Sequence, residues 1–136
     1  ETQKTYWAVV KKMPPKEKDT LVHLLKRNTK NNTSKAHLKE VPESKKASLS
    51  YQIIKKLDHY FVLEIDLHTG RHHQIRAQLQ AIGCPIKGDL KYGFDRSNPD
   101  GGIHLHAKKL VLTHPVSKEI IIFNASTPND NIWNSL

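Results

Sequence analysis

The stretch from Asp66 to Gly93 constrains the fold of this 136-residue chain most strongly, because it places one helix between two turns. Thr69-Gly70 is a turn signal that follows a strand-like run. Apolar residues then recur at helical spacing, at Ile75, Leu79 and Ile82. This stripe predicts a helix over about 71–82, and Gly83 suits the position directly after it.

Runs that alternate apolar and polar residues fill most of the remaining chain, and each predicts a half-buried strand. The runs 47–57 and 60–67 are joined by Asp58-His59 and predict an antiparallel hairpin. Residues 28–46 are polar and lysine-rich, which predicts a mobile loop or ribbon. Further strands are predicted at 4–11, 20–26, 103–113 and 118–124, with a short helix after Pro128. The order predicts an α+β fold with a mostly antiparallel (mixed) sheet and one main helix.

The excess of positive over negative charge is confined to the first part of the chain. Residues 1–56 carry 14 basic and 5 acidic side chains, whereas residues 57–136 carry 8 of each. A lysine-rich surface favours phosphate binding, although it is equally typical of a face that only aids solubility. No apolar run is long enough to span a bilayer. The single cysteine, Cys84, fits a reducing compartment, so we expect a cytoplasmic location.

Arginine and histidine side chains are the candidates for ligand binding in this sequence. Arg71, His72 and His73 crowd the start of the predicted helix, where free backbone N–H groups favour an anion. The alternative is an arginine paired with a strand carboxylate. The nine histidines lack a zinc-ligand pattern, so no metal is predicted. Cys84 precedes a proline in a turn and is interpreted as a small buried residue.

Two long motifs around the predicted helix resemble a known family. The run from His68 to Arg76 reads H-T-G-R-H-H-Q-I-R, and the run from Gly83 to Gly93 reads G-C-P-I-K-G-D-L-K-Y-G. They are similar to the T-G-R-x-H-Q-I-R and G-x-P-I-x-G-D-x-x-Y-G motifs of the RluA-type RNA pseudouridine synthases. Other segments match the family's pattern in the right order: K-T-Y-W-A-V from Lys4, Leu105-His106-Ala107, His114-Pro115 and Pro128.

The resemblance implies an enzyme that isomerises uridine to pseudouridine in ribosomal or transfer RNA and needs no cofactor. It implies that Tyr6 stacks on a flipped base, as suits an aromatic ring facing a pyrimidine. Arg76 would pair with the essential aspartate and keep it ionised. Ile75 and Leu79 would form apolar walls near the pocket, and Arg71 would hold the turn before the helix or contact phosphate.

The resemblance also implies a structural role for His73, and it makes the lysine-rich segment 28–46 a candidate RNA contact. The residues expected to contact RNA in this segment are Lys30, Lys35 and Lys39.

One motif of the family does not occur in these residues. The catalytic aspartate of the family lies in R-L-D-x-x-T-S-G, which is absent from the sequence. We therefore expect residues 1–136 to form the C-terminal part of a catalytic domain, inactive alone. Arg76 is expected to lack its partner, which is costly for a semi-buried cation. An exposed apolar patch is also expected, with self-association through it or along a free sheet edge.

Two other functions remain open at this point. The chain could be a non-catalytic RNA-binding module with the same fold, or an interaction domain whose basic ribbon binds an acidic protein. RNA binding that weakens steeply with salt is expected of the synthase and of the RNA-binding module, but not of the protein-interaction domain.

Overall fold

Seven strands form a single sheet in the computed structural model, which describes residues 2–136. The strands are β1 (Thr2–Val10), β2 (Lys18–Asn28), β3 (Thr33–His37), β4 (Lys45–Lys56), β5 (Phe61–Leu67), β6 (Leu105–Thr113) and β7 (Ile120–Asn124). Their order across the sheet is β3-β2-β4-β5-β1-β6-β7, and every neighbouring pair is antiparallel. The α+β class and the antiparallel sheet are thereby confirmed, and β1 lies near the middle of the sheet.

The core lies between one face of the sheet and helix α1 (Gln74–Ala81). Alternation along the strands turns Leu49, Tyr51, Leu63 and Ile65 to this face, where each is at most 3% exposed. From α1, Ile75 and Leu79 enter the same cluster. On the opposite face a short helix α2 (Asn131–Asn134) packs Trp133 against Val9 and Val62.

Helix α1 begins at Gln74, so the predicted start at residue 71 is wrong by three residues. His73 has φ 51°, a left-handed conformation that a helix cannot contain. The side chain of Gln74 instead folds back and fixes the preceding segment, because its Oε1 accepts from the Arg71 N–H at 3.0 Å and from the Thr69 hydroxyl at 2.8 Å. Residues 69–73 are therefore a turn, which we call the pre-helix turn.

The segment 28–46, predicted as a loop or ribbon, contains both: residues 33–37 form a strand, and 29–32 and 38–44 form none. β3 pairs with β2 from Asn28↔Thr33 to Leu24↔His37, and the two strands form a hairpin at one edge of the sheet. We call this pair of strands with its turn the basic hairpin.

Strand β7 forms the other edge of the sheet and leaves its apolar side chains in solvent. Ile120, Ile121, Ile122 and Phe123 are between 40% and 67% exposed. The expected exposed apolar patch is therefore present on β7. Among residues 2–136, no helix is long and apolar enough to cross a membrane.

Candidate active site

An ion pair between Arg76 and Asp89 lies beside helix α1. The Nε and Nη2 atoms of Arg76 each donate to a different Asp89 carboxylate oxygen at 2.8 Å. The Asp89 side chain is 1% exposed and that of Arg76 is 20% exposed, and the bidentate geometry raises the pKa of Arg76. The expectation of an unpaired Arg76 is therefore wrong, because the turn after α1 returns Asp89 to it.

Tyr92 and His73 complete the surroundings of this pair. The Arg76 guanidinium lies 4.6 Å from the centre of the Tyr92 ring. Arg76 Nη1 donates to His73 Nε2 at 3.3 Å, so the His73 proton lies on Nδ1, which is 2.7 Å from the Tyr92 hydroxyl. Burial and the charge of Arg76 lower the pKa of His73 to about 4, which keeps the ring neutral near pH 7.

The Tyr92 hydroxyl ties this cluster to the basic hairpin. It accepts a hydrogen bond from the Ser34 backbone N–H at 2.9 Å, and Ser34 lies in β3. His72 reaches the same strand, since its Nδ1 lies 2.9 Å from Ser34 Oγ. The pre-helix turn and the edge of the sheet are thus held together by hydrogen bonds, which gives both adjacent histidines structural contacts.

Arg71 anchors the pre-helix turn to β4. Its Nε donates to the Lys46 carbonyl oxygen at 2.9 Å, and the side chain remains exposed. The terminal nitrogens of Arg71 have no hydrogen-bond partner within residues 2–136. The first role suggested for Arg71, holding the turn, thus has a matching contact, and the second, contacting phosphate, stays a prediction.

Tyr6 lies in a separate open groove on the helix-bearing face of the sheet. The groove has a volume of about 220 Å³, and its lining includes Lys4, Ala107, Leu110 and Phe123. A β-bulge lies between Thr5 and Tyr6 in the pairing of β1 with β6. Tyr6 is half-buried, so one part of the ring packs on the core and another part faces solvent.

Ile75 and Leu79 support Tyr6 from inside the protein. Ile75 is 5% and Leu79 0% exposed, and Tyr6 packs against the core cluster that contains both. Neither side chain reaches the groove surface in this structure, so their role as pocket walls stays a prediction.

Tyr6 and Arg76 are not in contact. Within residues 2–136, no hydrogen bond or cation–π contact joins them, because Arg76 turns toward Asp89 and Tyr92. The residues that line the Tyr6 groove also include no carboxylate in the described part of the chain. The groove therefore offers an aromatic platform and three cations, Lys4, Lys108 and Lys109, but no carboxylate nucleophile from the described residues.

The predicted lysines lie on and beside the basic hairpin. Lys30 is in the turn between β2 and β3, Lys35 is in β3, and Lys39 is in the connection to β4. All three are exposed. They can meet a polyanion, and their role in binding RNA stays a prediction.

The supporting residues Asp89, Tyr92 and Ser34 were not predicted to contribute to the site. The motif G-D-L-K-Y-G, which contains Asp89 and Tyr92, was the available signal, but spacing alone does not show which arginine a buried carboxylate meets. Ser34 gave no signal, because its contribution is a backbone N–H.

Comparison with known proteins places this geometry in a family. The RNA pseudouridylate synthase family profile matches residues 1–81. An "Uncharacterized RNA pseudouridine synthase" of Chlorobaculum parvum is 33% identical over 96% of this chain and 45% of its own length. A "Ribosomal large subunit pseudouridine synthase D" of Nitrosomonas europaea is 37% identical over 66% of this chain and 28% of its own length. The chain thus spans less than half of these relatives.

Solved structures show the same fold. "Human RNA Pseudouridylate Synthase Domain Containing 1" superposes on 94% of this chain and 55% of its own length, with a TM-score of 0.73 and 23% identity. "Human RNA Pseudouridylate Synthase Domain Containing 4" does so on 94% of this chain and 59% of its own, with a TM-score of 0.75 and 19% identity.

Proposed function

Because this chain belongs to the RNA pseudouridylate synthase family, we propose that it forms one wall of the active site of an enzyme that isomerises uridine to pseudouridine in RNA. The observation that carries the proposal is the position of Tyr6. It matches the family's K-x-Y-x-A-x-V motif and lies half-buried in an open, mostly apolar groove. Such a groove suits a pyrimidine that has been flipped out of the RNA stack.

The names of several relatives support a ribosomal RNA substrate, with transfer RNA as the alternative. We also propose a cytoplasmic location, which is compatible with that substrate. The reaction needs no cofactor in this proposal, since the bond from the sugar to N1 of the base breaks and a bond to C5 of the same base forms. The proton lost from C5 balances the one gained at N1, so nothing is oxidised or reduced.

We propose that the nucleophilic aspartate comes from outside residues 1–136. Asp89 is almost fully buried and held by both ends of its carboxylate, so it cannot attack a sugar or base. Asp66 accepts a hydrogen bond from the Thr5 hydroxyl at 2.8 Å on the opposite face of the sheet from Tyr6. An incoming aspartate can still meet Arg76, because within residues 2–136 only His73 engages Arg76 Nη1.

A complementation experiment tests this function. The isolated chain is incubated with uridine-containing ribosomal RNA, and pseudouridine is measured by mass spectrometry. We expect none. The same chain fused behind the amino-terminal part of the Chlorobaculum parvum relative is expected to form pseudouridine. Turnover by the isolated chain would refute the external nucleophile.

Substitution of Tyr6 in the active fusion tests the groove. Tyr6→Ala should lower the rate at least about 100-fold, whereas Tyr6→Phe keeps a stacking ring and should lose less. Tyr60→Ala, another half-buried tyrosine, is the matched control. Equal rates for Tyr6→Ala and Tyr60→Ala would contradict the assignment. A fusion that binds RNA but forms no pseudouridine would favour the non-catalytic RNA-binding module.

A further inference from the structure

A second groove lies between the basic hairpin and the pre-helix turn, and nothing in the proposed chemistry uses it. Its volume is about 280 Å³. Four strand or loop segments contribute to it, and the lining side chains that carry charge are Arg27, Glu43, Lys45 and Arg71. Three of these four are cations, so the groove has an excess of positive charge.

Both arginines in this groove are oriented by neutral partners. Arg27 Nη2 donates to Asn32 Oδ1 at 3.3 Å, and the same oxygen lies 3.0 Å from His72 Nε2. Arg71 Nε donates to the Lys46 carbonyl oxygen at 2.9 Å. Each contact uses only part of a guanidinium group, so the remaining N–H groups can donate to a ligand.

His72 connects the two walls of this groove. Its Nε2–H donates to Asn32 in the turn of the basic hairpin, while Nδ1 accepts from the Ser34 hydroxyl at 2.9 Å. Burial, and then the charge of Arg27, lowers the pKa of His72, which agrees with a neutral ring in these contacts. The distance between the walls is thereby set by the protein before a ligand arrives.

The cations of this groove are not neutralised by the protein. Within residues 2–136, no carboxylate lies within 4.0 Å of the charged nitrogens of Arg27, Lys45 or Arg71. Gly70 lines the groove beside Arg71, and a Cβ atom there would meet no atom within 4 Å. A bulky anion can therefore approach the backbone of the pre-helix turn.

We propose that this groove binds consecutive phosphodiester groups of the RNA backbone, through Arg27, Lys45 and Arg71. Planar guanidinium groups with free edges match phosphate oxygens in pairs, and cations on both walls suit a chain of phosphates that runs between them. The inference rests on the proposed function for its choice of RNA. An acidic peptide is the competing ligand, and because Glu43 in the lining repels carboxylate and phosphate alike, the binding test separates the two.

The test measures binding of a fluorescently labelled decauridylate to the complete chain by anisotropy, between 50 and 300 mM KCl. Arg27→Gln and Arg71→Gln are each expected to weaken binding about 5- to 10-fold at the lowest salt concentration. Each should reduce the slope of log affinity against log salt by about 0.7. Arg96→Gln, an exposed arginine of the 94–102 loop, is the matched control and should change affinity less than about twofold.

Several outcomes would overturn the groove assignment. They are an equal loss for Arg96→Gln, unchanged slopes in both groove variants, or no binding of decauridylate by the unmodified chain. Displacement of the RNA by a decaglutamate peptide at the same concentration, with the same sensitivity to Arg27→Gln, would assign the groove to an acidic protein instead. Circular dichroism of each variant confirms that a loss of binding is not a loss of fold, and Arg71→Lys retains the charge where Arg71→Gln removes it.

The groove and the proposed function can fail separately. If the fusion with the Chlorobaculum parvum relative forms pseudouridine but the groove variants bind as well as the unmodified chain, the groove assignment is wrong and the function stands. If the variants lose RNA binding but the fusion forms no pseudouridine, the groove stands and the catalytic proposal is wrong. In an active fusion, Arg27→Gln should raise KM for RNA and leave kcat within about twofold.

Discussion

The two edges of the sheet differ in how many of their side chains contact other residues of the chain. At the β3 edge, Ser34 is bound by Tyr92 and His72, and α1 beside it carries Arg76, which pairs with the buried Asp89. At the β7 edge, which like β3 pairs with a strand on one side only, four consecutive apolar residues stay exposed. The β3 edge is closed by polar contacts within the chain, whereas the β7 edge is open and apolar.

This difference separates two kinds of interaction surface. A closed edge with oriented cations presents a rigid, polar surface that suits a charged ligand. An open apolar edge gains free energy when another strand or layer covers it, and it is a liability when nothing does. The Tyr6 groove lies toward the open side, with Phe123 of β7 in its lining, so whatever covers β7 also shapes the groove.

The largest expected effect tests whether the β3 edge depends on its buried ion pair. Asp89→Ala leaves the guanidinium of Arg76 without its partner in a site that excludes most solvent, so we expect a loss of about 3–5 kcal/mol in the free energy of unfolding. Urea denaturation measures this loss. Asp66→Ala, which removes a more exposed carboxylate, is the control and should cost about 1 kcal/mol. Similar losses for the two variants would contradict a special role for the pair.

A smaller effect should appear in the pH dependence of stability. The folded pKa of His73, about 4, lies below the value near 6.5 expected when the chain is unfolded, so folding favours the neutral ring. This contribution is fully present above pH 6.5 and is lost as the pH falls toward 4. His73→Asn tolerates the left-handed backbone and removes the titrating group.

The unfolding free energy of the unmodified chain, relative to this variant, should therefore fall by about 1 kcal/mol between pH 6.5 and 4.5, since partial exposure screens the effect. Denaturant melts at five pH values measure it. A constant difference between the two proteins across this range would show that His73 titrates normally.

The smallest effect on stability is expected at the β7 edge. Ile122→Lys places a charge on an exposed edge strand, so the unfolding free energy should change by less than about 0.5 kcal/mol. Self-association should weaken, because an edge lysine opposes strand pairing. Sedimentation velocity at several protein concentrations measures this. Val22→Lys, an exposed apolar residue of the inner strand β2, should leave association unchanged. If the unmodified chain is monomeric at every concentration, the prediction that the β7 edge mediates self-association is wrong.

The strands and the helix could be predicted because their signals are local. Alternation in 47–57 and 60–67 identified the hairpin of β4 and β5, and the stripe through Ile75 and Leu79 identified α1. The start of α1 could not be predicted from the stripe, because the left-handed His73 and the reach of Gln74 to Arg71 depend on side-chain placement. The order of strands in the sheet is likewise a property of the whole chain.

The sequence predicted which residues belong to the site better than it predicted which of them contact one another. The motifs singled out Tyr6 and Arg76, but the partner of Arg76 was misjudged because Asp89 is 13 residues away and reaches it only through the turn after α1. Of the second groove only Arg71 was predicted, as a residue that holds the turn or contacts phosphate. Arg27 and Lys45 lie 18 residues apart in the sequence and share a groove only because β2 lies between β3 and β4.

The central place of β1 has a consequence for biosynthesis. β1 pairs with β5 on one side and with β6 on the other, and β6 ends at Thr113. At about 5–20 residues per second, a ribosome needs a few seconds after β5 to make the strand that completes the sheet around β1. During that interval β1 can pair with β5 but its other edge stays unpaired, so chaperones that bind exposed strand edges should engage the nascent chain before β6 is made.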